Sequence, residues 1–530
     1  NHDLYHYLDR MDVQGLADTT FLSNLKPYGR QRVSHFLSQV DTSSMSRSQR
    51  SWHRRMRVLA DDSLAMETKQ KGILRYFYQN RRDLVAIQEG PLRLFINPVL
   101  HTSGGVDLNN DPRAAADALP IYLNARGAVI RGSLWNKLGF HTEVFNNVTR
   151  VPHYTYQEFL DRELVYGQGF VKRFGEQNGL DYLGSRAYLT YQPWQGLRIK
   201  FGKDRAFWGN GYQSLLLSDF AADYLLMTIT ARIWKLEYVS HFGQMIDFIQ
   251  DKNDTEGTFP RKYGAFHQLS YQPNDRFSIG FFESVIYAPT LPNGVRGVEW
   301  QYFNPLILYR TAEQYVGSPD NSILGLHWKY NFFQRFQWYG QFLLDDYNFG
   351  KRNEGSNYWG NKFGWQSGLK YMDVLGISNL DLQVEYNRLR PFTYQHFSSA
   401  SNYSHYGQHL GHAAGANLQD VHLILRYRPF PAWQVMASYS YLVKGLDEEG
   451  INYGGDIRVP FVNRPGDFDQ VVGQGVRQEV QQFYGRLSYQ IGQLDAYLEG
   501  EARYRTDNDL RSASFLIGLR TQIQPRPIKY

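Results

Sequence analysis

Cysteine and long apolar runs are both missing from this chain of 530 residues. Without cysteine there is no disulfide framework, thiolate metal site, cysteine nucleophile or lipid-bearing N-terminal cysteine. No stretch approaches the roughly 20 apolar residues that a membrane-spanning helix needs. The HExxH, GxSxG, phosphate-loop and Rossmann motifs are also missing. These absences predict a protein that is not an enzyme, holds no metal or cofactor, and has no nucleic-acid partner.

Aromatic residues, in contrast, are abundant. They make up 16% of the chain, with 39 Tyr, 33 Phe and 11 Trp, although the mean hydropathy is only −0.51. This combination is typical of a transmembrane β-barrel, because its apolar residues form only an outer band while every second residue faces a polar lumen. The chain begins at Asn1 without an apolar leader, and we expect this to be a processed terminus.

Alternating segments of about ten residues recur through most of the chain and predict antiparallel strands. Phe483, Leu487 and Tyr489 share one face of such a segment, while Arg486 and Ser488 share the other. Eighteen strands are predicted. They lie at 91–101, 119–132, 135–148, 183–193, 196–204, 224–234, 235–246, 262–273, 276–287, 322–332, 335–346, 360–373, 379–390, 419–429, 432–443, 478–491, 493–504 and 510–523.

Residues 1–85 differ from the rest and predict a small helical domain before the barrel of residues 86–530. Apolar residues three and four apart, such as Val33, Phe36, Leu37 and Val40, are typical of helices. Helices are predicted near 3–10, 27–40 and 46–59, with Pro27 at one N-terminus and Ser46 or Ser48 as an N-cap. The fold is therefore predicted to be all-β with a small helical addition.

Connection lengths predict the orientation of the barrel. Connections after even-numbered strands are short, whereas most of those after odd strands are long, near 149–182, 205–223, 288–321, 391–418 and 444–477. An even strand number puts both barrel ends on the short-turn side. We therefore expect a Gram-negative outer-membrane protein with periplasmic helices, extracellular loops, and contacts to lipid and lipopolysaccharide.

The lumen is predicted to be polar and partly filled. Residues 205–223 join the WGNGY sequence to an apolar Leu-Leu-Leu run and predict a plug. Cationic and acidic lumen positions fall on different strands and allow two interpretations: a site for anionic solutes such as uronate-bearing polysaccharide, or opposite rows that neutralise each other and brace the barrel. The cations are Arg186, Arg198, Lys200, Arg426, Arg428, Arg486 and Arg520, and the acids are Asp381, Glu385, Glu499 and Glu501.

Aromatic residues in the loops alternate with amide, hydroxyl and imidazole groups, a mixture suited to stacking and hydrogen bonding with sugars. The same mixture is usual where loops pack on each other. The candidate ligand-binding positions in loops and lumen are Arg205, Trp208, Asn210, Tyr212, Trp300, Tyr302, His396, Tyr403, His405, Arg426 and Arg428. Close spacing of His405, His409 and His412 raises a metal hypothesis, but the stretch reads as an unsupported loop.

Short motifs in conserved order resemble the outer-membrane capsule-assembly barrels typified by Wzi, in the form common in Bacteroidetes. They are KPYGR at 26–30, FGKDR at 201–205, WGNG at 208–211, SLLLS at 214–218, FNP at 303–305, GSPDN at 317–321, GQFLLD at 340–345, EYNR at 385–388, RP at 390–391, NYSH at 402–405 and GAN at 415–417. The resemblance implies an eighteen-stranded barrel with a periplasmic helical bundle and a lectin-like function that attaches exported capsular polysaccharide to the cell surface.

Three functions remain open from the sequence. The first is a polysaccharide-binding barrel that organises capsule, with surface polysaccharide as its partner. The second is an accessory structural or gating subunit of a larger export or secretion complex, with other outer-membrane or periplasmic proteins as partners. The third is an open diffusion porin, which an inward-folded 205–223 loop would disfavour.

Overall fold

A computed structural model describes residues 2–17, 21–162, 165–175, 179–247, 259–288, 290–291, 294–295, 297–304, 309, 320–492 and 494–521. Pro305 and residues 317–319, which belong to the motifs above, lie outside the described residues. Within the described ranges, no helix is long and apolar enough to cross a membrane.

Eighteen antiparallel strands form a closed barrel, as predicted. They are β1 Leu92–Asn109, β2 Ala118–Leu134, β3 Leu138–Arg150, β4 Gly179–Trp194, β5 Leu197–Asp204, β6 Tyr224–Ile233, β7 Leu236–Ile246, β8 Arg261–Tyr271, β9 Phe277–Tyr287, β10 Asn321–Phe332, β11 Phe336–Asp346, β12 Lys362–Tyr371, β13 Leu380–Leu389, β14 Leu418–Tyr427, β15 Trp433–Leu446, β16 Val476–Gln490, β17 Ala496–Asp507 and β18 Leu510–Thr521. Each strand pairs with its neighbour in sequence, and β18 closes the ring on β1 through pairs such as Gly518 with Ser103.

Alternation along each strand separates an apolar outer surface from a polar interior. On β16, Phe483 is 51% exposed and Leu487 is 47% exposed, whereas Ser488 and Gln490 are buried. The exposed residues form the outer apolar band that a membrane barrel requires. Along β16, burial therefore marks the lumen side of the wall, where side chains meet the contents of the barrel.

Tight turns at one end carry large aromatic residues in a strained backbone conformation. Trp135, Trp234 and Phe333 have φ values of 52°, 55° and 52°, and their side chains are exposed. Positive φ at such positions matches the twist of two-residue hairpins but is costly for bulky residues. An exposed aromatic ring at the edge of the apolar band is typical of the membrane interface. We call this the turn end and the opposite end the loop end.

Four helices precede the barrel: α1 His2–Gln14, α2 Arg30–Ser38, α3 Arg47–Ala60 and α4 Asp62–Glu67. Ser46 caps α3 in a capping box with Gln49, which confirms the predicted N-cap. The prediction for Pro27 was wrong, because α2 begins at Arg30 with Gly29 as its N-cap. Residues Leu25–Lys26 instead pair with Phe207–Trp208 and hold the chain before α2 extended.

One strand was missed at the start of the barrel. Val85–Glu89 pairs antiparallel with the first residues of β1, and the predicted boundary between residues 85 and 86 falls at its beginning. A further helix, α5 His153–Arg162, lies in the long connection between β3 and β4. Its Tyr154 hydroxyl accepts a hydrogen bond from Arg503 on the lumen side of β17. The loop that holds α5 is therefore folded against the barrel interior.

Candidate functional site in the barrel lumen

Helix α1 forms a floor across the turn end of the lumen. Arg10 is buried and bonds Asp373 at 2.6 Å and Asp381 at 2.5 Å. Two further acids of the same helix, Asp9 and Asp12, bond the lysines of the wall at 2.8 and 2.6 Å. Those lysines are Lys370 and Lys329. Each of these charged groups thus has a partner of opposite sign where the helix meets the barrel, with Arg10 shared by two carboxylates, and this fixes the position of the floor.

The segment after α1 reaches further into the lumen. Lys26 lies over the ring of Phe207 at 4.8 Å, and burial lowers the pKa of its ammonium to about 8. Asn24 donates to Ser270 at 2.9 Å. Asn210 donates to Ser23 at 2.7 Å. The N-terminal region and the 205–223 loop therefore meet inside the barrel rather than outside it.

Residues 205–223 fold inward as predicted and fill one side of the lumen. Trp208 is buried edge-on against Phe282, with ring centroids 5.7 Å apart, and also packs on Phe266. Leu215, Leu216 and Leu217 join the same buried cluster. Such an apolar cluster inside a polar lumen stabilises the loop by removing its apolar surface from water. We call residues 205–223 the plug.

Side chains of the wall also hold the backbone of the plug. Glu385 is buried and accepts hydrogen bonds from the Tyr212 amide at 2.6 Å and the Gln213 amide at 2.9 Å. Gln341 accepts from the Leu215 amide at 2.7 Å. Buried backbone groups need such partners, because an unpaired one costs about 1–3 kcal/mol. Polar side chains of β11 and β13 therefore supply the plug backbone with the hydrogen bonds that a neighbouring strand would otherwise provide.

The loop between β13 and β14, residues 390–417, covers the plug from the loop end. Tyr394 donates its hydroxyl hydrogen to the Leu215 carbonyl at 2.6 Å, and Tyr403 donates to the Leu216 carbonyl. Their two rings stack 5.4 Å apart. Both tyrosines are buried, so this cover presents neither ring to solvent.

A cavity of about 1630 Å³ occupies the other side of the lumen. Helix α1 and Lys26 form its bottom, and most of the strand residues at its sides belong to β1–β5 and β14–β18. The cavity continues upward past α5 to the loop end, where Phe170 on its lining is 62% exposed. The barrel thus holds a filled half and a hollow half.

Six of the eleven sequence-predicted ligand positions line this cavity. They are Arg205, Asn210, Tyr212, His405, Arg426 and Arg428. The structure places the other five elsewhere. Trp208 and Tyr403 belong to the plug and its cover, Tyr302 is buried with its hydroxyl on Asp320 at 2.6 Å, and His396 is 9% exposed. Trp300 is 75% exposed in a short helix of the β9–β10 loop.

Of the two interpretations left open for the loop aromatics, sugar binding or packing, the structure favours packing for Tyr302 and Tyr403, which are both buried. The Tyr403 ring faces the interior because its loop folds inward over the plug, whereas the Tyr302 ring packs with Tyr287 in a separate buried cluster on the outer face of β9. The Tyr403 hydroxyl donates to the Leu216 carbonyl, and the Tyr302 hydroxyl donates to the Asp320 carboxylate. Amide and aromatic residues in a loop suit inter-loop packing as well as sugar binding, and here packing accounts for these two.

Some of the lumen cations brace the barrel through ion pairs, and others remain available to an anionic ligand, so each of the two predicted interpretations applies to part of the set. Arg186 bonds Asp204 at 2.8 Å and Asp223 at 3.1 Å. Arg428 bonds Asp3 and Arg520 bonds Glu499, each pair spanning separate elements. These arginines brace the structure. Arg426 and Arg486, in contrast, face the cavity without a carboxylate at salt-bridge distance among the described residues.

The three histidines of the metal hypothesis point to separate partners. His405 accepts from the Ile246 amide at 3.0 Å, His409 donates to the Ala413 carbonyl at 2.7 Å, and His412 lies 3.0 Å from Asp420. In the part of the chain that the structure describes, no group of three or more histidines and carboxylates is arranged to hold a metal ion. Burial lowers the pKa of His405 to about 3, so its ring is neutral.

Sequence reasoning missed Arg150, Tyr154 and Arg503, which also line the cavity. Arg503 donates to Tyr154 at 2.9 Å, and its Nε is buried without a partner. Alternation along the last strands could have indicated Arg503, because it shares a face with Glu499 and Glu501. Tyr154 gave no such signal, since α5 has no strand periodicity.

These features define a class: a plugged transmembrane β-barrel with a cavity in its lumen that many charged side chains line. The sequence model of the family described as capsule assembly protein Wzi matches residues 175–504, and the chain belongs to that family. A search of curated protein sequences gave no match.

Among solved structures, the chain is similar to Wzi of Escherichia coli, with 13% identity, a TM-score of 0.59 and 99% coverage of both chains. That protein is described as an outer-membrane, carbohydrate-binding β-barrel involved in group 1 capsule assembly. A BenF-like porin of Pseudomonas fluorescens gives a TM-score of 0.44 at 8% identity, covering 80% of this chain and 97% of the porin. OccK5 of Pseudomonas aeruginosa gives 0.39 at 11% identity, covering 80% and 98%.

Proposed function

We propose that this protein is an outer-membrane barrel that binds and organises exported surface polysaccharide without catalysing a reaction. Family membership and the fold it shares with the carbohydrate-binding barrel of E. coli support the proposal. Because one fold can host unrelated functions, the site must carry the argument.

The observation that carries the proposal is the cavity. Its lining combines guanidinium, amide and phenol groups, the donors and flat faces that recognise sugars, and it opens toward the loop end. The plug and the α1 floor occupy the space that a diffusion pore would need. Of the sequence-predicted positions, we assign Arg205, Asn210, Tyr212, His405, Arg426 and Arg428 to the cavity site. Trp300 is assigned to its approach.

Orientation follows from the length of the connections. Short turns face the periplasm, so the helices are periplasmic and the long loops are extracellular. The apolar band contacts membrane lipid and, in the outer leaflet, lipopolysaccharide. Polysaccharide that reaches the cell surface then meets the open end of the cavity.

A pull-down from native outer membranes in mild detergent tests the proposal. We expect the barrel to elute with tightly bound polysaccharide, and Trp300→Ala to retain less of it. Trp234→Ala is the matched control, because Trp234 is equally exposed at the opposite end of the barrel. Elution of the barrel without any polysaccharide would refute the proposal.

A second function is favoured by one feature of the helical region. Arg47, Arg50 and Arg54 lie on α3 and are exposed at the turn end. A cationic helix face at this position suits an acidic partner, as an accessory subunit of an export or secretion complex would require. Protein partners that co-elute in fixed stoichiometry, without polysaccharide, would favour this function over the first.

A further inference from the structure

Three arginines face the cavity without an acidic partner: Arg426, Arg486 and Arg503. Arg426 donates to the Gln383 side-chain oxygen at 3.1 Å, Arg486 lies 4.0 Å from the Met436 sulfur, and Arg503 donates to the Tyr154 hydroxyl at 2.9 Å. Among the residues that the structure describes, none of the three has a carboxylate oxygen within 4.0 Å. All three line the cavity.

Strand register brings these arginines together on one wall. Arg426 of β14 pairs with Met436 of β15, and Met436 pairs with Arg486 of β16. Strands lie about 4.8 Å apart, so the Arg426 and Arg486 backbones are separated by about 10 Å. Arg503 of β17 pairs with Tyr484, two residues from Arg486, and is its diagonal neighbour.

Most acids around the cavity are already neutralised. Asp204 and Asp223 bond Arg186, and Glu499 bonds Arg520 at 2.7 Å. Asp381, opposite Arg426 in register, is bonded by Arg10 at 2.5 Å. Glu501, opposite Arg486, is the one acid in register with these arginines that forms no ion pair within 4.0 Å among the described residues. One carboxylate against three guanidiniums leaves this wall positively charged.

Unsatisfied hydrogen-bond donors in the cavity indicate that a ligand with acceptor atoms binds there. The Nε atom of Arg503 on this wall is buried and has no hydrogen-bond partner among the described residues, and the same holds for Arg150, which lines the cavity from the end of β3. Leaving such donors unpaired is costly, and more so when they are charged. Burial raises the pKa of the nearby Tyr212 to about 12, so its phenol keeps its proton and remains a donor.

Planar guanidinium forks match the geometry of carboxylates. We propose that Arg426, Arg486 and Arg503 bind a carboxylate of an acidic polysaccharide, such as one containing uronic acid. This inference rests on the proposed function and adds the chemical class of the ligand. The rest of the sugar would lie along the cavity toward the loop end, beside Tyr154 and Tyr484, which line the same wall.

The test uses the full-length barrel in detergent and polysaccharide purified from the surface of the source cells. Half of the polysaccharide is carboxyl-reduced, which converts each uronate to a neutral sugar of the same linkage. Calorimetric titration then compares the two polymers on the wild type. We expect the native polymer to bind at least about tenfold more tightly, by an amount that falls with added salt.

Variants connect the preference to the three arginines. Arg426→Gln and Arg486→Gln should each weaken binding of the native polymer by about tenfold and leave binding of the reduced polymer unchanged. Arg477→Gln is the matched control, because Arg477 is 61% exposed on its side chain and lies outside the cavity. Heat-modifiable gel mobility verifies that each variant barrel is folded.

The outcomes separate this inference from the proposed function. Equal binding of native and reduced polymers, or arginine variants that bind like the wild type, would overturn the carboxylate site while leaving polysaccharide binding intact. A wild type that binds neither polymer would overturn both.

Discussion

Glu385 offers the sharpest test of how the plug is held. Its carboxylate is buried in the lumen and accepts four hydrogen bonds. The donors are the amides of Tyr212 and Gln213, the Tyr339 hydroxyl and the Asn387 side chain. Glu385→Gln keeps the shape but replaces one acceptor oxygen with a donor NH₂ group. At least one plug amide or the Tyr339 hydroxyl must then face another donor.

The expected loss follows from the strength of these bonds. Hydrogen bonds to a charged group contribute about 1.5–3 kcal/mol each, and an unpaired buried donor costs about 1–3 kcal/mol. Losing one bond and weakening the others should lower the free energy of local opening of the plug by about 2 kcal/mol or more. Since 1.4 kcal/mol is a factor of ten, the plug amides should exchange with solvent at least about 30-fold faster.

Hydrogen exchange followed by mass spectrometry measures this directly on peptides that cover residues 205–223. Peptides from the barrel strands should be unchanged, because the strand ladder does not depend on Glu385. Glu479→Gln is the matched control: it makes the same chemical change near the loop end of β16, where Glu479 is partly exposed. Equal exchange of the plug amides in Glu385→Gln and the wild type would refute the role of Glu385 in holding the plug.

Three other predictions concern the floor, acid stability and the cover. Arg10→Ala leaves Asp373 and Asp381 without their buried partner and should destabilise the α1 floor by about 3–5 kcal/mol. A loosened floor should raise single-channel conductance in planar bilayers, whereas Arg47→Ala on the exposed face of α3 should not. Burial, with a smaller contribution from Arg57, lowers the pKa of His53 to about 4, so its neutral form stabilises the helices above pH 6.5 and this contribution is lost as pH falls toward 4. Burial raises the pKa of Asp9, but Lys370 and Lys26 outweigh it and lower that pKa from its usual 3.8, so its stabilising contribution is lost only below about pH 4. Thermal unfolding at pH 7 and pH 4 checks His53, a further measurement near pH 3 checks Asp9, and a midpoint independent of pH would contradict both. Tyr403→Phe removes the bond to the Leu216 carbonyl and should cost about 1 kcal/mol, seen as a lower temperature of heat modification than for Tyr504→Phe on the lipid face.

The barrel itself could be predicted from the sequence because its pattern is local. Alternation of apolar and polar residues depends only on neighbours two positions apart, so the eighteen strands were found within a few residues of their observed bounds, except that β1 runs to Asn109, eight residues past its predicted end. Apolar runs and loop lengths likewise indicated the inward fold of residues 205–223. Ser46 was recognisable as an N-cap for the same reason, since its bonding partner Gln49 lies three residues away.

The candidate site could not be predicted in the same way, because its contacts join residues that are far apart in the chain. Arg10 and Asp381 are separated by 371 positions and Arg428 and Asp3 by 425. The sequence indicated that Arg186, Arg426, Arg428 and Arg486 face the lumen. It contained no sign of which would find a carboxylate there.

Closure of the ring decided that question. When β18 pairs with β1, the distances across the barrel are fixed. These distances determine which charged groups of the wall form ion pairs with the plug and with α1. Loop residues such as Tyr403 became interior residues for the same reason, because the long loops turned inward to cover the plug. The sequence by itself determined the wall of this protein. Its contents, and the arginines left for a ligand, were decided by tertiary structure, since electrostatic and hydrogen-bond partners are chosen by distance in space and not along the chain.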